Sequence, residues 1–140
     1  MNLLPIHHYD YLLDSSLEYL HKESEEWLFN ISFWRNEIAF FHIHIAWDIP
    51  NNIPDNSKEL KADIEDEIIK IDTDELDFIQ NSIEQHEWFL SRLLDNREHI
   101  DEHIYREQHE ELLFKIKKLE IRMRRLKNNI FNLEKSIVIN

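Results

Sequence analysis

The chain has 140 residues, 32% of them charged, a formal net charge of −13, no glycine and no cysteine. That length suits one domain with its own core. Absent cysteine excludes disulfides, thiol nucleophiles and zinc-thiolate sites, and absent glycine argues against the tight hairpins and bulges of sheet proteins. The expected class is therefore all-α, an antiparallel bundle of three long helices at about 15–48, 57–95 and 98–138 with coiled-coil-like packing.

Residues 1–14 carry Leu3, Leu4, Ile6, Tyr9, Tyr11, Leu12 and Leu13. They read as an N-terminal tail or a strap across one end of a single helical domain spanning 15–140. This N-terminus lacks a basic leader, and no stretch approaches the ~20 apolar residues of a membrane span, so a cytoplasmic protein is expected.

The first helix is expected to start at Ser15, because Ser15 and Glu18 have capping-box spacing. Pro50 and Pro54 end it near Asp48. Its seam runs Leu17, Leu20, Ser24, Trp27, Ile31, Trp34, Ile38, Phe41 and Ile45, with a second row of Phe29, Phe33, Phe40 and Trp47 beside it. The aromatic stripe reads as core, and its width suits a helix that touches two partners.

Residues 49–56 read as a loop. The second helix then begins near Asn56 or Ser57. Its later half has a clear seam of Leu76, Ile79, Ile83, His86, Leu90 and Leu93, with Ile100 and Ile104 in phase beyond, and Ala62 and Ile69 extend it backward. Asp72-Thr73-Asp74 lowers helix propensity, so a four-helix bundle broken there is the alternative to a continuous or kinked helix. Asp95-Asn96 is the expected turn into the last helix. That helix repeats apolar residues three and four apart from Leu112 to Ile137, after Tyr105 and His109.

Charge supports the antiparallel order. Residues 112–140 hold 8 Lys/Arg against 2 Asp/Glu, whereas residues 1–111 hold 8 against 27. The basic stretch from Lys115 to Lys127 would lie along the acidic first half of helix two and be consumed within the fold. Nucleic acid is accordingly not an expected partner, and neither is a membrane.

Nine histidines stand out. His86 and His109 occupy seam positions, Ser24 interrupts the seam of helix one, and counting from the helix ends places all three in one layer. His21 and Glu25, one turn apart, flank that layer, as do Glu87 and His103. Imidazole nitrogen and carboxylate oxygen suit a divalent transition metal such as Zn, Fe or Mn. Candidate metal ligands are therefore His21, Glu25, His86, Glu87, His103 and His109. Against this stands a structural reading, in which seam histidines hydrogen-bond neighbouring polar groups and fix helix register. No nucleophile motif, phosphate-binding loop or duplicated acid pair is present, so the balance leans away from an enzyme, with no catalytic residue and no cofactor expected.

The pattern His21…Glu26-Trp27-Leu28…Phe33-Trp34-Arg35-Asn36-Glu37-Ile38, followed by His86-Glu87 and by His103 and His109, resembles a group of small uncharacterised bacterial helical-bundle proteins. The resemblance implies no known activity. It singles out His21, His86, Glu87, His103 and His109, although Asp101-Glu102-His103 departs from the adjacent Asp-His of that group. The expected function is a structural or protein-interaction module, either a homodimer or bound to another helical protein. The alternative is a metal-binding bundle with haemerythrin- or ferritin-like chemistry.

Overall fold

The computed structural model describes residues 16–96 and 99–139. The expected tail at 1–14 and the Ser15 cap lie outside them. The fold is an all-α bundle of three helices that pack against one another. Helix α1 is Leu17–Trp47. Helix α2 comprises α-helical Asp55–Lys70, a π-helical turn at Ile71–Glu75 and α-helical Leu76–Asn96. Helix α3 is His99–Ile139. Among the described residues no helix is long and apolar enough to cross a membrane.

Local chemistry sets the boundaries. Ser16 caps α1, its Oγ accepting from the backbone N–H of Tyr19 at 3.0 Å, one residue later than the expected Ser15–Glu18 box. Tyr19 cannot return the bond, so this is a single cap. Pro54 precedes α2 at φ −55°, and the helix starts at Asp55, slightly earlier than expected. Ile49 and Ile53 of the connecting loop are themselves buried. At the far end α2 continues through Asn96, so the expected turn at Asp95-Asn96 is helical and α3 begins three residues on.

The π turn explains where Asp72-Thr73-Asp74 leads. The segment does not split α2, because the residues capping it on either side, Lys70 and Leu76, keep right-handed helical angles. One extra residue is accommodated instead, and the buried phase slips by one position. Buried apolar residues in the first half are therefore Ile64, Ile68 and Ile71, while Ala62 and Ile69, expected in the seam, are exposed. Thr73 Oγ1 donates to the Ile69 carbonyl at 2.7 Å, satisfying an acceptor at the distorted turn.

All three helices contribute to each of two compact units, one formed by residues 1–30 and 78–117 and the other by 31–77 and 118–140. In the first, Leu20, Leu90, Leu93 and Tyr105 form an apolar cluster. Ile104, expected in the seam, is 40% exposed, since Tyr105 takes the inward position on α3. In the second, Ile31, Trp34, Ile38 and Ile45 of α1 are buried, as are Ile64, Ile68 and Ile71 of α2 and Leu119, Met123, Leu126, Ile130 and Leu133 of α3. Each such side chain contributes ~1.5–3 kcal/mol on burial, against ~0.2–1 kcal/mol for an exposed ion pair. Burial therefore dominates the stability, and ion pairs across the helices add to it. Arg122 bonds Glu67 at 2.6 and 3.1 Å and reaches Glu75 at 2.9 Å, with Glu67 chiefly holding the guanidinium in its charged form. Lys127 pairs with Glu37 at 2.8 Å.

Two expectations fail in this second unit. Arg122 and Lys127 are bonded across helices, but Arg124 and Arg125 face outward, so the basic stretch is only partly consumed. On α1 the second aromatic row is not core: Phe33, Phe40 and Trp47 are 54%, 63% and 82% exposed. Both follow from helix geometry, because a helix in a three-helix bundle has one inward face and these residues lie on the other.

Candidate functional site

In the first unit each helix contributes one polar residue to an otherwise apolar seam. Ser24 of α1, His86 of α2 and His109 of α3 are 0%, 3% and 0% exposed. Flat rings fill the layer around them. His86 stacks on Tyr105 with centroids 4.1 Å apart and planes at 3°, and Trp27 covers His109 at 4.5 Å.

The imidazole nitrogens are joined in a line. His109 Nε2 lies 2.8 Å from Glu23 Oε1, and His109 Nδ1 lies 3.0 Å from His86 Nε2. The proton order follows from the chemistry of the ends. A carboxylate only accepts, so Nε2 of His109 carries the hydrogen it donates to Glu23. That leaves Nδ1 of His109 as the acceptor of the Nε2–H of His86. Nδ1 of His86 is then unprotonated in the neutral state, with Gln108 Oε1 at 3.4 Å. A second proton on His86 would be received by that oxygen. Burial, then the neighbouring His109, holds the His86 pKa down to about 4, with Gln108 acting weakly the other way. At neutral pH His86 is therefore uncharged.

A second pair lies at the edge of the same unit. His21 Nδ1 bonds Glu87 Oε2, and His21 Nε2 is 3.7 Å from the exposed Glu25. Glu87 Oε1 is buried without a hydrogen-bond partner among the described residues, and Ser24 Oγ and the Tyr105 hydroxyl are buried near each other without a well-formed bond. Burial, then the charge of Glu87, raises the Tyr105 pKa, so its phenol stays protonated. Tyr105→Phe keeps the stack on His86 and removes a hydroxyl whose contact with Ser24 is not a well-formed hydrogen bond. Stability in urea melts is expected to be unchanged or up by about 1 kcal/mol, and a loss above about 2 kcal/mol would contradict this reading of the layer.

The six candidate ligands thus separate. His86 and His109 meet, His21 joins Glu87 and Glu25, and His103 sits on the surface 3.7 Å from Glu107. Among the described residues no group of three or more His, Asp or Glu side chains is arranged to hold a metal ion. The available donors are two facing imidazole nitrogens, with Glu23 behind His109 as the outer carboxylate that metal-bound histidines commonly have. Sequence reasoning missed Glu23 and Gln108. Glu23 precedes the seam residue Ser24, a flanking position from which an acid reaches across to the facing helix, and that was its one signal.

No protein-family model, curated protein or solved structure matches the chain. The likeness to small bacterial helical-bundle proteins therefore brings no family with it.

What the layer does follows from its pairing. Sliding any helix by one turn would leave Glu23, His109 or His86 buried against apolar neighbours, at several kcal/mol for an unpaired charge. The network is suited to fixing register. It also makes folding pH-dependent. An unfolded His86 binds a proton near pH 6.5 and the folded one only near 4. Stability is thus complete above about 6.5 and falls as pH drops toward 4, by on the order of 2–3 kcal/mol. His44 acts oppositely. Bonds first to Asp48 and then to Glu134 raise its pKa, so its contribution is present at low pH and fades as pH rises through the raised value. Urea melts at several pH values are expected to show a shallower acid slope for His86→Leu than for the parent. Equal slopes would mean that His86 is not the titrating group.

Proposed function

We propose that the protein is a non-enzymatic interaction module that pairs with a second copy through the outer face of α1. One observation carries this reading. When the buried residues of α1 are taken as heptad positions a and d, Phe33, Phe40 and Trp47 fall at c, and Phe29, Asn36 and Ile43 fall at f. Those positions point away from the core and are polar in an ordinary surface helix. Here Phe33, Phe40, Ile43 and Trp47 are 54–82% exposed. The helix therefore has two opposed apolar seams, one covered within the chain and one open.

Three features favour a second copy as the cover. The four side chains from Phe33 to Trp47 offer roughly 500 Å² per copy, so a symmetric pair would bury about 1,000 Å², near the lower bound of specific interfaces. Ser32, Ala39 and Ala46, all exposed, run beside the stripe at seven-residue intervals, and such small residues permit close helix approach. A seam on one helix also meets its own copy isologously, which closes the assembly at two.

The chain contains no cysteine, so a single one introduced at the centre of the stripe reports this interface without background. Phe40→Cys lies at the middle of the seam whether the helices run parallel or antiparallel. Mild oxidation is expected to give a covalent dimer much faster than it does for the exposed Thr73→Cys. Equal rates would remove the reading.

A further inference from the structure

The outer faces of α2 and α3 in the second unit carry opposite codes. On α3, Ile121, Arg124, Asn128 and Phe131 recur at three- and four-residue spacing on the side away from the core. Ile121 and Phe131 are 49% and 60% exposed, and a groove of about 670 Å³ runs between them, lined also by Arg125 and Lys127. Among the described residues Lys118 and Arg125 form no ion pair, and Arg124 touches Glu120 of its own helix at 3.9 Å. On α2 the one-residue slip at the π turn turns Ile69 outward, 52% exposed, between the exposed acids Glu65, Asp66 and Asp72.

We infer that the basic face of α3 docks the acidic face of α2 from a second copy, head to tail. The two rows match in register. Antiparallel alignment with Ile69 on Ile121 brings Asp66 opposite Arg125 on one flank and Glu65 opposite Arg124 on the other. An aliphatic centre with opposite charges on both sides gives attraction and orientation together. The contacts these residues make within the chain are weak competitors: Lys70 holds Asp66 at 3.0 Å and Glu120 meets Arg124, both exposed pairs one helical turn apart and of small value. A nucleic acid would meet the same basic face, but a chain with net charge −13 repels a polyanion everywhere else. Because this contact joins two different patches, it extends from copy to copy and does not close at two.

The inference stands apart from the α1 seam, and its test is run with that seam shut. Full-length Phe40→Glu protein is followed by sedimentation at about 20 and 300 mM salt, across which ionic screening changes strongly. Its mass is expected to grow with concentration at low salt and to return to one copy at high salt. R124E/R125E and E65K/D66K, each added to that chain, are expected to abolish growth. Mixed together they should associate again in alternation, since the retained faces match and the reversed faces match each other, at least roughly tenfold tighter than either alone. R124Q/R125Q, a milder change, should also abolish growth, and circular dichroism establishes that every variant is folded. A Phe40→Glu chain that remains single at low salt, or a mixture without complex, overturns the inference and leaves the α1 reading intact. Binding of a DNA duplex to the α3 face at a salt where copies stay apart also overturns it.

Discussion

His109→Ala is expected to cost about 3–5 kcal/mol of folding stability, the largest effect of any single polar substitution in the chain. Three losses combine at this position. Glu23 forfeits the N–H it accepts from at 2.8 Å, His86 forfeits its acceptor, and the face of Trp27 loses the ring stacked on it at 4.5 Å. Much of the cost is that of taking from a carboxylate beside a dry layer the donor that His109 gives it, so the remedy should matter as much as the damage. Adding Glu23→Leu to His109→Leu removes both ends of that bond and should recover most of the stability, because replacing a buried polar pair by apolar groups is often neutral. Denaturant melts of the single and double variants decide this. If His109→Ala costs under about 1 kcal/mol, the layer does not fix register.

Phe40→Glu combined with Trp47→Glu should weaken self-association roughly 100-fold or more, by removing two aromatic anchors of the outer seam and placing like charges there. Folding stability should change by less than about 0.5 kcal/mol, since both side chains are over 60% exposed in one chain. That separation is the informative part. A variant that loses association and stability together would mean that these aromatics belong to the core of a single chain. Trp34→Glu, at a buried position, is expected to destroy both and serves as the contrast.

Much of the architecture was legible in the sequence. The seam of α3 from Tyr105 to Leu133 is buried at every expected position, because a single three-four repeat admits one helix face. The polar layer was also legible: Ser24, His86 and His109 interrupt otherwise apolar seams at matching distances from the helix ends, and all three are buried in one unit. Two features lay beyond reach. The π turn at Ile71–Glu75 depends on where one extra residue is best absorbed, and no residue type announces that, so Ala62 and Ile69 were put on the wrong face. The fate of the second aromatic row on α1 was ambiguous because a wide apolar face and two separate seams give the same residue pattern. Partner choice for His21 was likewise open between Glu25 and Glu87, which only the packing of α1 against α2 within the first unit decides.

The measurement closest to the central claim is the mass of the unmodified protein by sedimentation equilibrium at 300 mM salt, where charge-driven contacts between copies are suppressed. Pairing through the α1 seam predicts twice the 17.3 kDa of one chain, falling toward one copy only on dilution. A mass of 17.3 kDa maintained up to about 100 μM, far above a micromolar dissociation constant, would contradict it.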